Sequence, residues 1–157
     1  MGACRVRLHG HGHGRGRGGH DQEARCESGP RIEAELDCAT MMGDPPLVER
    51  LIGNLLDNAI RHNAPAGTVT VRTGVQAGRP TLVVLNTGPQ VTPGQMELIF
   101  QPFQRLRETR LNGHPGHGIG LSIVAAIATA HGAELRAEPL PRGGLEVRVG
   151  FQAREDA

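Results

Sequence analysis

The 157-residue sequence has no lysine, no tryptophan and no tyrosine, so all 17 of its basic side chains are arginines. The missing lysine excludes several chemistries at once. A Walker-type phosphate loop needs a lysine to reach the phosphates, a eukaryotic-type protein kinase needs one on a strand, and a Schiff-base enzyme needs its amine. Cysteine is also scarce. Cys4, Cys26 and Cys38 are odd in number, match no zinc-ligand spacing and are expected to be free thiols. No run of about 18 apolar residues is present, so nothing reads as a membrane span, and no apolar stretch near the start reads as a secretory signal. The expectation is a soluble, cytoplasmic chain that makes no membrane contact. A formal net charge of +1 gives no electrostatic reason to expect a nucleic-acid partner.

What is present supports one domain with a real core, since 38% of the residues are hydrophobic. Residues 1–22 stand apart. The run from His9 to His20 alternates glycine with histidine and arginine, which cannot bury a core and predicts disorder. Its histidines and arginines also fit a metal- or RNA-binding tail, although no aromatic residue is there to stack on a base; an upstream-assigned start is a further reading. Residues 23–152 form the expected domain, and 153–157 a charged end.

Within the domain, Arg31 to Asp37 alternates and predicts a strand with Ile32, Ala34 and Leu36 inward. Asp44-Pro45-Pro46 is a helix start, with an acidic cap followed by prolines where a missing N–H costs nothing. The helix is expected to run to about His62, with Leu47, Val48, Leu51, Ile52, Leu55, Leu56, Ala59 and Ile60 as one apolar face. Thr68–Thr73 and Thr81–Leu85 read as antiparallel strands joined through Gly74 and Gly78-Arg79-Pro80. A short helix from Pro93 to about Phe100, a polar loop over 104–117, a second apolar helix from Ile119 to His131, and a closing strand pair at Ala133–Glu138 and Gly144–Phe151 complete the pattern. Helices on one side of such strands give an α/β two-layer sandwich, with a mixed, mostly antiparallel sheet covered on one face by about three helices.

Three features carry chemistry. Asn54, Asn58 and Arg61 line up on one flank of the first long helix. Asparagine competes with the helix backbone, so two of them one turn apart, beside Gly53, cost stability that a merely solvated face would not spend. Asn86-Thr87-Gly88-Pro89 ends a strand in a polar side chain and a glycine turn, which alone is only a turn signal. Gly116, Gly118 and Gly120 alternate with His117, Ile119 and Leu121 ahead of an apolar helix; bare backbone N–H groups and a helix N-terminus there suit phosphate.

The order of these elements resembles the catalytic domain of sensor histidine kinases. Asn54 to His62 is similar to that family's asparagine box, Asn86 to Pro89 to its first glycine box, Ile99-Phe100-Gln101-Pro102-Phe103 to its phenylalanine box, and Gly116 to Val124 to its second glycine box, with Ala130-His131-Gly132 as a usual sequel. The resemblance covers about residues 23–151. It implies the ATP-grasping Bergerat sandwich shared with gyrases, heat-shock chaperones and mismatch-repair ATPases. It also implies ATP and Mg²⁺ as ligands. Asn58 would bind Mg²⁺ through its amide oxygen, assisted by Asn54, and Arg61 would reach phosphate oxygens. His62 would meet ribose or phosphate, or else simply favour the helix end. Asn86 would face adenine, and Gly88, Val91, Gly116, His117, Gly118, Ile119, Gly120 and Leu121 would line the nucleotide. Arg105, Arg107 and Arg110 are candidates for γ-phosphate contact from a lid.

The departures from the family are specific. Asn86 replaces the usual aspartate and loses charge assistance worth about 1 kcal/mol. Gln90 replaces a glycine, and Leu145 follows Gly143-Gly144 where a threonine is common. Position 54 carries Asn where the related ATPases carry a water-activating Glu, which predicts slow hydrolysis and transfer to another acceptor. No histidine sits in the phosphoacceptor setting of the family, a histidine followed by an acidic residue and Leu-Arg-x-Pro. The implied partners are therefore the phosphoacceptor and dimerisation domain of a histidine kinase, normally part of a membrane-anchored protein, and downstream a response regulator. This chain is expected to be monomeric without that domain. A kinase of the same fold acting on serine, as anti-sigma kinases do, and a non-catalytic nucleotide- or partner-binding module are the alternatives.

Overall fold

The computed structural model describes residues 29–101 and 119–153. The glycine-histidine-arginine run, the charged end after Ala153 and the segment 102–118 lie outside the described residues. With them lie Gly116, His117, Gly118, Arg105, Arg107, Arg110 and Phe103.

The described chain runs β1 (Arg31–Leu36), α1 (Pro45–Arg61), β2 (Thr68–Gln76), β3 (Arg79–Asn86), α2 (Pro93–Leu98), α3 (Gly120–Ala130), β4 (Glu134–Pro139) and β5 (Leu145–Gly150). The strands form one sheet in the order β1-β2-β3-β5-β4. β1 is parallel to β2, with α1 as the crossover, and every other pair is antiparallel. The β2–β3 loop is only Ala77-Gly78. Both residues have positive φ, 49° and 75°, the twist a two-residue hairpin requires. Gly74, Arg79 and Pro80, expected in the connection, are instead paired within the strands, because the tighter turn lets the ladder run to its end.

α1 starts as its sequence dictates. The Asp44 carboxylate accepts from the Leu47 N–H at 3.1 Å, and proline occupies the first turn. Its buried stripe is Val48, Leu51, Leu55 and Ala59. These residues pack with Val69, Val71, Leu82 and Val84 of the central strands, with Leu121, Val124 and Ile127 of α3, and with Val147 and Val149 of β5. The apolar face is narrower than its sequence pattern. Leu47 and Ile60 are 39% and 42% exposed, since they sit on the two flanks of the stripe.

β1 departs further from expectation. The strand forms, but Ile32 and Leu36 are 60% and 49% exposed, and Ala34 is exposed as well. The pairings Ile32↔Val69 and Ala34↔Val71 place these residues on the core face of the sheet. They occupy its edge strand, past the cover that α1 provides. Alternation therefore reported the correct face without reporting burial.

Candidate functional site

α1 brings three of the expected site residues to one flank. Asn54 and Asn58 are half-buried and Arg61 is exposed. Asn54 Nδ2 donates to the Arg50 carbonyl one turn back at 2.7 Å, which fixes the amide and leaves Oδ1 turned away from its own helix. That oxygen meets the start of α3, where a β-carbon on Gly120 would lie 3.5 Å from it. Asn58 makes no side-chain hydrogen bond among the described residues. The asparagine flank and the helix that follows the glycine run thus form two facing walls. Ile119 and Gly120 lie at the helix entry, whereas Leu121 is 8% exposed and its side chain belongs to the core.

The C-terminus of α1 meets the end of β3. A side chain on Gly88 would collide with the His62 carbonyl oxygen, so only glycine permits this approach. Asn86, 5% exposed, donates from Nδ2 to the Thr87 carbonyl at 2.8 Å and to the His62 carbonyl at 3.4 Å. The turn between β4 and β5 closes on the same backbone. Gly143 and Gly144 have φ of 90° and 97°, a β-carbon on either would strike the Gly88 or Asn86 carbonyl, and the Gly144 N–H donates to Pro89 O at 2.9 Å. Val91 is half-buried against the core.

Two supports of the site are weakly marked in the sequence. Asn63 reads as a helix stop, yet its Oδ1 accepts from the Thr87 hydroxyl at 2.6 Å, while Thr87 Oγ1 accepts from the Thr68 N–H at 2.9 Å. The pair fastens the end of α1 to β2 and β3, and Gly67 leaves it room. His131 Nδ1 donates to the Ile127 carbonyl at 2.8 Å, and Nε2 accepts from the Asp44 N–H at 3.1 Å. The last residue of α3's cap thereby holds the first turn of α1, and with it the spacing of the two walls. A side chain 24 or 87 residues from its partner gives no local pattern, so only the histidine and asparagine side chains themselves, each placed just past a helix end, hinted at these ties.

Burial holds the His62 imidazole below its ordinary pKa of 6.5, and the adjacent Arg61 charge lowers it further. The folded state therefore binds this proton less readily than the unfolded chain. Its contribution to stability is complete above pH 6.5 and is lost as pH falls through 6.5 toward the lower folded value. Thermal melts of wild type from pH 7.5 to 5.5 are expected to fall more steeply than those of His62→Gln. Parallel curves would remove His62 from the acid response.

The donor set suits a magnesium-bound triphosphate. It offers neutral amide oxygens for a hard cation, one arginine for anionic oxygens, and Gly120 with no side chain at the entry of α3. No group of three or more His, Cys, Asp or Glu that could hold a metal ion occurs among the described residues. No helix among the described residues is long and apolar enough to cross a membrane.

Comparison with known proteins agrees with this geometry. Residues 43–155 match the family described as histidine kinase-, DNA gyrase B- and HSP90-like ATPase. Sensor protein CutS of Streptomyces coelicolor is 42% identical over 128 residues, covering 80% of this chain and 31% of CutS. Sensor protein KdpD of Mycobacterium tuberculosis is 36% identical over 80% of this chain and 14% of its own length, so the chain spans a third or less of these relatives. Among solved structures, the mycobacterial sensor histidine kinase MprB superposes with a TM-score of 0.72 at 29% identity, over 83% of this chain and 88% of that one. The chain belongs to the histidine kinase-, DNA gyrase B- and HSP90-like ATPase family, as an ATP-binding catalytic domain of the sensor histidine kinase type.

Proposed function

We propose that this domain binds Mg·ATP between α1 and α3 and donates the γ-phosphoryl group to a histidine carried by a separate phosphoacceptor domain. The observation that carries the reading is the facing of Asn54 Oδ1 and Gly120, with Asn58 and Arg61 on the same flank as Asn54. Asn58 and Asn54 would hold the metal through amide oxygens, and Arg61 would pair with phosphate oxygens. Bound Mg²⁺ would supply charge neutralisation on the triphosphate. Gly116, His117 and Gly118, with Ile119 and Gly120, would surround the phosphates, and Asn86, Gly88 and Val91 the base. Related support comes from ShkA, whose structure is described as a complex with AMPPNP; it shares 25% identity over 80% of this chain at a TM-score of 0.63.

Phosphoryl transfer asks a protein chiefly for positioning and charge stabilisation. Asn54 can orient but cannot take a proton, so the site lacks a base on α1 for activating water. Transfer to an external acceptor is favoured over hydrolysis. The acceptor would be a phosphoacceptor and dimerisation domain, and a response regulator would receive the phosphate next. Incubation of the chain with γ-labelled ATP, Mg²⁺ and a histidine-kinase hairpin domain tests this. Acid-labile label on the hairpin histidine is expected. Acid-stable label on serine, or nucleotide binding with no transfer to any hairpin tried, would replace this reading with a serine kinase or a binding module.

A further inference from the structure

We propose that two copies of this chain pair antiparallel along β1, so that one sheet continues into the other across a twofold axis at Ala34. The inference is independent of the nucleotide reading. It replaces the monomer expected when the dimerisation domain is set apart.

β1 is an edge of the sheet, and among the described residues nothing pairs with its outer side. Its inner side is fixed. The Arg31 N–H donates to Gly67 O at 2.8 Å, and the Asp37 N–H to Thr73 O at 3.1 Å. A parallel ladder repeats every second residue, so Arg31, Glu33, Glu35 and Asp37 turn their backbone groups toward β2. Ile32, Ala34 and Leu36 turn theirs outward. Their side chains lie on the core face of the sheet yet stand in solvent, Ile32 60% and Leu36 49% exposed. An open edge with an apolar row is a template for another strand. The opposite edge is different, because α2 and α3 pack against β4 and half-bury its Leu135 and Ala137.

The occupant that fits this edge is β1 of a second copy. Setting Ala34 opposite the partner's Ala34 sets Ile32 opposite the partner's Leu36, and Leu36 opposite the partner's Ile32. Each is a hydrogen-bonded pair, so the three outward N–H groups and three outward carbonyls of each strand are all used, in six hydrogen bonds. A slide by two residues loses some of them. One direction brings Pro30, which has no N–H, opposite Leu36. The other brings Ile32 opposite Cys38, past the end of β1. The apolar side chains of the two copies then lie side by side on one face, with only the small Ala34 at the axis.

The charged face agrees with this register. Arg31 falls opposite the partner's Asp37, twice by symmetry, in the closer kind of pair that exchanges no hydrogen bonds. Glu33 falls opposite the partner's Glu35, but each carries an arginine of its own chain, Arg31 at 3.1 Å and Arg72 at 2.8 Å. The same patch serves both copies, so the contact closes on itself and gives a dimer, not a filament.

The test is sedimentation equilibrium of the whole chain in EDTA, which removes metal bridging. Wild type is expected to pass from monomer to dimer between about 5 and about 500 µM, the weak range of a small interface. Ala34→Pro removes the donor at the axis. An edge strand tolerates proline where its N–H faces solvent, so this variant is expected to melt like wild type and to stay monomeric. Asp37→Arg sets arginine against arginine and is expected to weaken the dimer at least about tenfold, and adding Arg31→Asp is expected to restore most of that loss. A wild type that is monomeric at the highest concentration would overturn the inference, as would a folded Ala34→Pro that dimerises like wild type. If Ala34→Pro does not fold, the charge exchange decides. No weakening with Asp37→Arg, or no recovery in the double variant, overturns the pairing.

Discussion

Asn58→Ala is expected to reduce Mg²⁺-dependent ATP binding by at least about 100-fold while leaving the melting temperature unchanged or raised. The two halves of this expectation have separate causes. The Asn58 side chain makes no hydrogen bond among the described residues and lies half-buried on an open flank of α1, so its removal breaks nothing in the fold. Alanine is the better helix former by about 0.5 kcal/mol. The amide oxygen, by contrast, is the group proposed to hold a hard cation together with Asn54, and Mg²⁺ takes few protein ligands. Losing one of them should cost most of the metal-dependent affinity, about 3 kcal/mol or more, the scale of losing a charge-assisted contact. Calorimetry with and without Mg²⁺ reads the first half and a melt reads the second. Unchanged ATP affinity in a folded Asn58→Ala protein would remove the metal role from this residue.

Gly144→Val is the matching experiment on the fold. Gly144 has φ of 97°, a region that β-branched residues scarcely enter, and a β-carbon there would collide with the Asn86 carbonyl oxygen. Its N–H also holds Pro89 at 2.9 Å. Strain and overpacking together should cost about 3 kcal/mol or more, a fall of about 10 °C or more in Tm for a domain of this size. Nucleotide affinity should fall with stability, because the displaced carbonyl belongs to the residue proposed to face the base. Gly94→Val supplies the comparison, since nothing lies within 4 Å of a β-carbon at Gly94. A Gly144→Val protein that melts like wild type would show that the β4–β5 turn can move away freely, contrary to its close fit.

Much of this molecule was legible from residue order because its signals are local. The Asp44 cap, the stripe Val48-Leu51-Leu55-Ala59, the β-rich runs of β2 and β3, and the glycine run before α3 each act within a few residues, and each element appears close to where those signals place it. The asparagine row could be read because Asn is an expensive choice on a helix, which makes it conspicuous. Burial across the sheet could not be read. Ile32 and Leu36 alternate like core residues, and nothing local tells an edge strand from a central one. The clamps made by Asn63, Thr87, Gly144 and His131 were equally hidden, because each joins segments far apart in sequence.

The strand order carries a consequence for assembly of the site. The asparagines proposed to hold the metal lie on the crossover between β1 and β2, the one proposed to face the base lies at the end of β3, and the glycines that press on it lie in the β4–β5 turn, the last in the sheet's chain order. No early piece of the chain holds two complete sides of the cleft. A folding intermediate consisting of the β2–β3 ribbon and α1 would possess amides with nothing opposite them. On the proposed reading, ligand competence requires the β4–β5 hairpin as well as α1 and β3, and so the finished sheet.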